Sequence, residues 1–159
     1  MVNKSYNVMA RQGKLFVGLF LFSTLFSFID LSNLIGIYFN PDYFLALMIL
    51  TISSNLIPLN IPKIFLMGIL VDILIGSILG QYTLTFLTLF GLQAFLKNYF
   101  SIPSQIQAIF FKFILISLGV IILSILSQKF NFYSYLFDIG ITFFVFIIFQ
   151  LLYEKTYGQ

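Results

Sequence analysis

Glycine and aspartate recur at four-residue intervals in the middle of the chain, where Gly68, Asp72, Gly76 and Gly80 form the pattern G-x-x-x-D-x-x-x-G-x-x-x-G. Residues four apart lie near one face of an α-helix, so the spacing predicts a face of nearly bare backbone that carries one carboxyl group. Small residues at this interval let a neighbouring helix approach closely. The pattern therefore predicts a helix-packing or interaction surface.

A carboxyl group inside an apolar helix usually faces the protein interior and has a partner there. Asp72 lies about eight residues, or ~12 Å, past the start of its predicted helix, which places it near the middle of a bilayer. Lys112 has a similar predicted depth and is the candidate intramembrane partner. The alternative is that Lys112 reaches the membrane interface alone, while Asp72 packs between helices with its carboxyl group protonated or bonded to a hydroxyl. A structural role for Asp72 is favoured over proton transport.

Residue types that support catalysis are scarce in this chain. It has no Cys and no His, which removes thiol catalysis and the usual zinc and haem ligands. An aspartyl pair is the remaining option, but Asp30 and Asp138 are predicted near the outer surface, away from Asp72. We therefore expect no enzymatic activity, no cofactor and no metal.

The composition indicates which elements hold these residues. Hydrophobic residues make up 60% of the chain, charged residues make up 8%, and the mean hydropathy is +1.07. A soluble domain carries about 25% charged residues. Membrane lipid is therefore the expected solvent for most side chains. The net charge of +3 comes from scattered basic residues and does not indicate nucleic acid.

Apolar runs separated by polar or Pro-containing breaks predict six short membrane helices and no soluble domain. The predicted spans cover about residues 15–29, 43–57, 64–79, 82–96, 108–126 and 135–153. Residues 1–14 and 154–159 are predicted cytoplasmic tails on either side of a single transmembrane domain, residues 15–153. The predicted fold class is an all-α, polytopic bundle of about six transmembrane helices.

The placement of Lys and Arg predicts the orientation of the bundle. With the amino terminus inside the cell, Lys129 is the one basic loop residue that faces outward. The cytoplasmic side then receives Lys4, Arg11, Lys14, Lys63, Lys97 and Lys155. Because the reverse topology inverts this bias, we predict that both termini are cytoplasmic.

Residues 68–80, GILVDILIGSILG, resemble the signature of the rod shape-determining protein MreD family. Members of that family are small and polytopic, and they carry a G-L-x-x-D-x-x-x-G-x-x-x-G pattern in the middle of the chain. The Pro41-Asp42 pair that opens the second predicted helix is also similar, as are the total length and the basic amino terminus. One departure is Ile69, where leucine is commoner.

The resemblance implies a non-enzymatic scaffold in the elongation machinery of bacterial cell-wall synthesis, at the cytoplasmic membrane. Its implied partner is a bitopic MreC-like protein. Through that protein it would connect MreB filaments to the RodA glycosyltransferase and a class B penicillin-binding protein.

The fold of the MreD family is described as similar to that of the substrate-binding subunits of energy-coupling-factor vitamin transporters. Such a subunit is the alternative function. It would need a polar pocket at the outer face and an Ala-x-x-x-Ala surface in its first helix. The first predicted helix has no Ala, and polar residues of the outer half are sparse: Asp30, Asn33, Asn131 and Asp138. The scaffold is therefore the favoured interpretation.

Overall fold

A computed structural model describes residues 2–29, 41–54, 56–99, 105–127 and 132–157. Within these ranges the chain forms six helices and no strand, which confirms the prediction of an all-α architecture with six helices. The helices are α1 Val2–Ser27, α2 Tyr43–Ser54, α3 Ile61–Ile75, α4 Gln81–Tyr99, α5 Gln105–Leu126 and α6 Phe132–Tyr157. Four residues used in the predictions lie outside the described residues, namely Asp30, Asn33, Lys129 and Asn131.

The second helix, α2, lies at the centre of the bundle, in contact with α1, α4, α5 and α6. Ten consecutive residues, from Tyr43 to Ile52, are buried. Thr51 belongs to this run, and its hydroxyl donates a hydrogen bond to the carbonyl oxygen of Leu47 (2.7 Å). A helix that is apolar on all sides is stable only when it is surrounded, so α2 forms the core on which the other helices pack.

Aromatic rings join α1 to α2 and α6. Phe20 meets Phe44 edge to face with ring centroids 5.5 Å apart, and Phe22 meets Phe149 in the same way at 5.9 Å. Each such pair contributes about 0.5–1.5 kcal/mol beyond the burial of its surface. The rings therefore fix α1 against the core.

At the edge of the bundle, α3 and α4 form a hairpin, and α3 packs chiefly on α4. The outer side chains of α3 include Leu66 and Ile73, which are 65% and 66% exposed. Its inner face follows a helical spacing and consists of Ile64, Gly68, Val71 and Asp72. This hairpin holds most of the predicted site residues.

The helix bounds differ most from the predicted spans in three places. The first helix begins at Val2, so the predicted tail 1–14 is helical from residue 2 onward and continuous with α1. The third helix ends at Ile75 and not near residue 79, because Gly76 adopts a left-handed conformation that ends it. The last helix extends to Tyr157 and includes most of the predicted tail 154–159.

Two described helices are long and apolar enough to cross a membrane, α5 over Gln107–Leu126 and α6 over Ser134–Thr156. Of their most apolar stretches, only 22% and 28% are buried inside the bundle, so most of this apolar surface faces outward. The shorter α2 has 12 residues, and the 15 residues of α3 cover ~22 Å at the α-helical rise.

Candidate functional site

Asp72 is fully buried in the last turn of α3, where its carboxyl group caps the amino end of α4. Oδ1 accepts hydrogen bonds from the N–H of Tyr82 (2.8 Å) and the hydroxyl of Ser77 (3.1 Å). Oδ2 accepts from the N–H of Gly80 (2.9 Å) and the hydroxyl of Thr83 (2.8 Å). The first N–H groups of a helix have no partner within the helix, and the helix dipole favours a negative group beside them. Asp72 thus holds the two helices of the hairpin together.

The turn between α3 and α4 requires glycine at two positions. Gly76 has φ 68° and Gly80 has φ 99°, a region that costs other residues roughly 1–2 kcal/mol. The N–H of Ser77 donates to the carbonyl oxygen of Asp72 (3.1 Å), which closes the carboxyl end of α3. A β-carbon added to either glycine would meet no atom within 4 Å. Backbone conformation, and not close packing, therefore selects glycine at both positions.

The predicted single face of Gly68, Asp72, Gly76 and Gly80 is not formed, because α3 ends before the last two glycines. A four-residue interval fits a helix face, but it also fits a glycine that ends one helix and a glycine that precedes the next. For the same reason Asp72 lies in the last turn of α3 and not at the predicted mid-helix depth. A leucine at position 76 or 80 would therefore destabilise the hairpin through backbone strain and not by blocking the approach of a helix.

Gly68 lies where the backbones of α3 and α4 touch. A β-carbon placed on it would lie 2.3 Å from the Cα of Thr83 and 2.8 Å from its nitrogen. Backbone atoms of a packed helix cannot move aside as the end of a long side chain can. Gly68 therefore sets the distance at which the two helices pack.

A second aspartate, Asp42, joins α2, α4 and α6. Its Oδ1 accepts from the N–H of Leu45 (2.8 Å), the usual bond of a residue that caps a helix. Its Oδ2 accepts from the hydroxyl of Tyr82 (2.8 Å), and its own N–H donates to the hydroxyl oxygen of Thr142 (3.0 Å). Because the N–H of Tyr82 also donates to Asp72, one network connects four helices at the same end of the bundle.

The roles of Tyr82 and Thr142 were not predicted from the sequence. One local signal was present, since Asp42 follows Pro41 and directly precedes an apolar run, as a capping residue does. The contacts of Asp42 to Tyr82 and Thr142 span 40 and 100 residues of sequence. No local pattern encodes contacts of that range.

Lys112 does not pair with Asp72, so the predicted ion pair is wrong. Its Nζ donates to Oε1 of Gln150 (3.1 Å) and lies 5.6 Å from the ring centroid of Phe146. Gln150 in turn donates to Glu154 (2.7 Å). The physical reason is position along the helices: Asp72 is near the end of α3, whereas Lys112 is near the start of α5.

Chemically, the network accepts hydrogen bonds and fixes helix ends. Both oxygens of Asp42 and both oxygens of Asp72 already have donors from the protein. The described residues contain no group of three or more Asp, Glu, His or Cys that could hold a metal ion. The contacts join the start of α2, the end of α3 and the start of α4 to one another and to Thr142 within α6.

Tyr82→Phe is expected to lower the free energy of unfolding by about 1–2 kcal/mol, because it removes one buried hydrogen bond to a carboxyl group and keeps the ring. Thermal unfolding in detergent, followed by far-ultraviolet circular dichroism, measures the change. Tyr153→Phe is the matched control, since its hydroxyl makes a longer bond of 3.3 Å to the carbonyl oxygen of Ser54. Equal Tm values for the two variants would contradict the importance of the Asp42–Tyr82 contact.

Residues 68–80 carry the resemblance to the MreD family. The resemblance rests on the sequence pattern of those residues, and the function it implies is a proposal. No protein-family model, no curated protein and no solved structure matches the chain.

Proposed function

We propose that the chain is a multi-pass protein of the bacterial cytoplasmic membrane that acts as a non-enzymatic scaffold of the cell-shape machinery, similar to MreD. The observation that carries the proposal is that the signature residues build the hairpin of α3 and α4. Gly68 brings α3 against α4, and Asp72 caps α4. Because these residues fix the position of α3 and α4, the outer faces of the two helices keep a defined arrangement. A scaffold that binds other proteins needs such an arrangement.

The outer surface of the bundle supports a membrane location. Large apolar side chains are exposed on different helices and turns, including Leu25 at 67%, Leu66 at 65% and Leu79 at 72%. Extensive exposed apolar surface marks contact with a membrane or with another protein. The core helices of a soluble protein would be mostly buried, whereas α5 and α6 are mostly not.

The orientation with both termini in the cytoplasm makes α3 run outward, with Ile61 inside and Leu79 outside. The chain has no Cys, so each single-cysteine variant is labelled without background. Ile61 and Leu79 are comparably exposed, at 64% and 72%. We expect a membrane-impermeant maleimide to label Leu79→Cys in intact cells and to spare Ile61→Cys until the membrane is permeabilised. The opposite pattern would overturn the orientation.

The proposed partner is an MreC-like protein and, through it, MreB, RodA and a class B penicillin-binding protein. Co-expression of the tagged chain with the MreC-like protein of the same organism tests this directly. The two are expected to co-elute in mild detergent, whereas an unrelated bitopic protein is not. Loss of the chain is expected to convert rod-shaped cells to round ones. Absence of co-elution together with unchanged cell shape would overturn the scaffold proposal.

One observation favours the alternative, a substrate-binding subunit of an energy-coupling-factor-type vitamin transporter. A polar cavity lies beside Asp42 at the predicted outer end, where such a subunit would take up its ligand. Mass spectrometry of the purified chain distinguishes the two functions. A vitamin retained through purification, without co-elution of an MreC-like protein, would favour the transporter subunit.

A further inference from the structure

A half-open cavity of about 330 Å³ lies beside the polar network, between the start of α2, the α3–α4 turn, the end of α5 and the first turns of α6. Small-molecule pockets begin at about 300 Å³. Polar groups are concentrated here in a chain that is 60% hydrophobic. The lining includes Asp42, Gln81, Tyr82, Ser124, Asp138 and Thr142.

Gln81 is a buried residue that lines this cavity, and its side-chain amide has no partner among the described residues. It is only 8% exposed and lines the cavity wall. Across the described ranges, no residue forms a hydrogen bond with its side-chain amide. The amide can be reached from the cavity, where water or a bound molecule can satisfy it. A ligand that offers both a donor and an acceptor would satisfy it.

The two carboxyl groups give the cavity a negative character. Asp42 and Asp138 both line it. Among the described residues that line the cavity there is no Lys and no Arg. Like charges repel strongly in a medium of low dielectric constant, and a cation is attracted there just as strongly.

We propose that this cavity binds a small organic ammonium ion that also carries a hydroxyl or a second amine. The ammonium group is held by the carboxyl groups of Asp42 and Asp138, and the second polar group of the ligand meets the amide of Gln81. This proposal goes beyond the scaffold role and does not depend on any protein partner.

The size and lining of the cavity favour an organic ammonium ion over a bare metal ion or a carboxylate ligand. The volume is roughly ten times the ~30 Å³ that one water molecule occupies, which is far more than a bare metal ion needs. The described residues also lack a group of three or more metal-ligating side chains. A ligand with a free carboxylate would find no Lys or Arg in the described lining to pair with it.

Titration of the purified full-length chain in detergent, by calorimetry at constant ionic strength, tests the proposal. The probes are ethanolamine and 1,4-diaminobutane, with neutral 1,4-butanediol and anionic succinate as matched compounds of similar size. At least one amine is expected to bind and to raise the Tm, whereas the diol and succinate are not. Absence of binding by both amines at millimolar concentrations, or equal binding of the diol or of succinate, would overturn the proposal.

Three variants separate ligand binding from folding. Asp138→Asn and Gln81→Ala are each expected to weaken amine binding about tenfold, as the loss of one buried hydrogen bond or charge partner does. Glu154→Gln removes a carboxyl group near Lys112, away from the cavity, and should bind as the wild type does. Because the Gln81 amide bonds to no described residue, Gln81→Ala should keep the Tm of the unliganded protein. Wild-type affinity in both cavity variants, or an equal loss in Glu154→Gln, would overturn the assignment.

Discussion

Asp72→Leu is expected to lower the free energy of unfolding by about 3–5 kcal/mol, because leucine has the same branched skeleton but accepts no hydrogen bond. The N–H groups of Gly80 and Tyr82, and the buried hydroxyl of Thr83, would then lose their acceptor. The amino end of α4 would also lose the negative group that its dipole favours. Thermal unfolding in detergent, followed by circular dichroism, measures the effect as a drop in Tm of roughly 2–4 °C per kcal/mol.

Three companion variants make this experiment specific. Asp72→Asn keeps one acceptor oxygen and is expected to lose less stability than Asp72→Leu. Ile73→Ala changes the next residue, which is 66% exposed, and should stay within about 0.5 kcal/mol of the wild type. A double-mutant cycle with Lys112→Leu should give a coupling energy near zero, because the two side chains have separate partners. A wild-type Tm for Asp72→Leu would show that the cap does not stabilise the hairpin.

The helices of this chain could be predicted from apolar runs interrupted by proline, glycine and polar residues. The end of α3 could not be placed from spacing. Gly76 and Gly80 continue the interval set by Gly68 and Asp72, and that interval is the same whether a glycine lies on a helix face or ends the helix. The interpretation that a glycine directly after the last apolar turn ends a helix was the correct one here.

The wrong prediction of an Asp72–Lys112 ion pair also came from placing the end of α3 too late in the sequence. A helix that continues to residue 79 places Asp72 in its middle, whereas a helix that ends at Ile75 places it within reach of the next amino terminus. The hydroxyl of Thr83, 11 residues along the chain, then becomes its nearest side-chain partner. The cavity beside Asp42 depends on contacts across 40 and 100 residues, which only the packing of the helices reveals.

Gly68→Ala is expected to destabilise the bundle by about 1–3 kcal/mol, the usual cost of overpacking. This sign is opposite to the normal effect, because alanine inside a helix is favoured over glycine by up to about 1 kcal/mol. The new β-carbon would lie 2.3 Å from the Cα of Thr83, so α4 would have to shift away from α3. That shift would also stretch the bond from the hydroxyl of Thr83 to Asp72, so packing and cap should weaken together.

Two other glycines supply matched controls for this prediction. Gly91→Ala, on α4, meets no atom within 4 Å and should leave the Tm unchanged or raise it. Gly119→Ala, on α5, meets the side-chain methyl groups of Leu45, the nearest at 2.6 Å, which can rotate away. The loss of stability in Gly119→Ala should therefore fall between those of Gly91→Ala and Gly68→Ala. The expected order of Tm is Gly91→Ala highest, Gly119→Ala next and Gly68→Ala lowest. If Gly68→Ala unfolds at the temperature of Gly91→Ala, the backbones of α3 and α4 do not touch at this residue, and the hairpin must be held by the Asp72 cap alone.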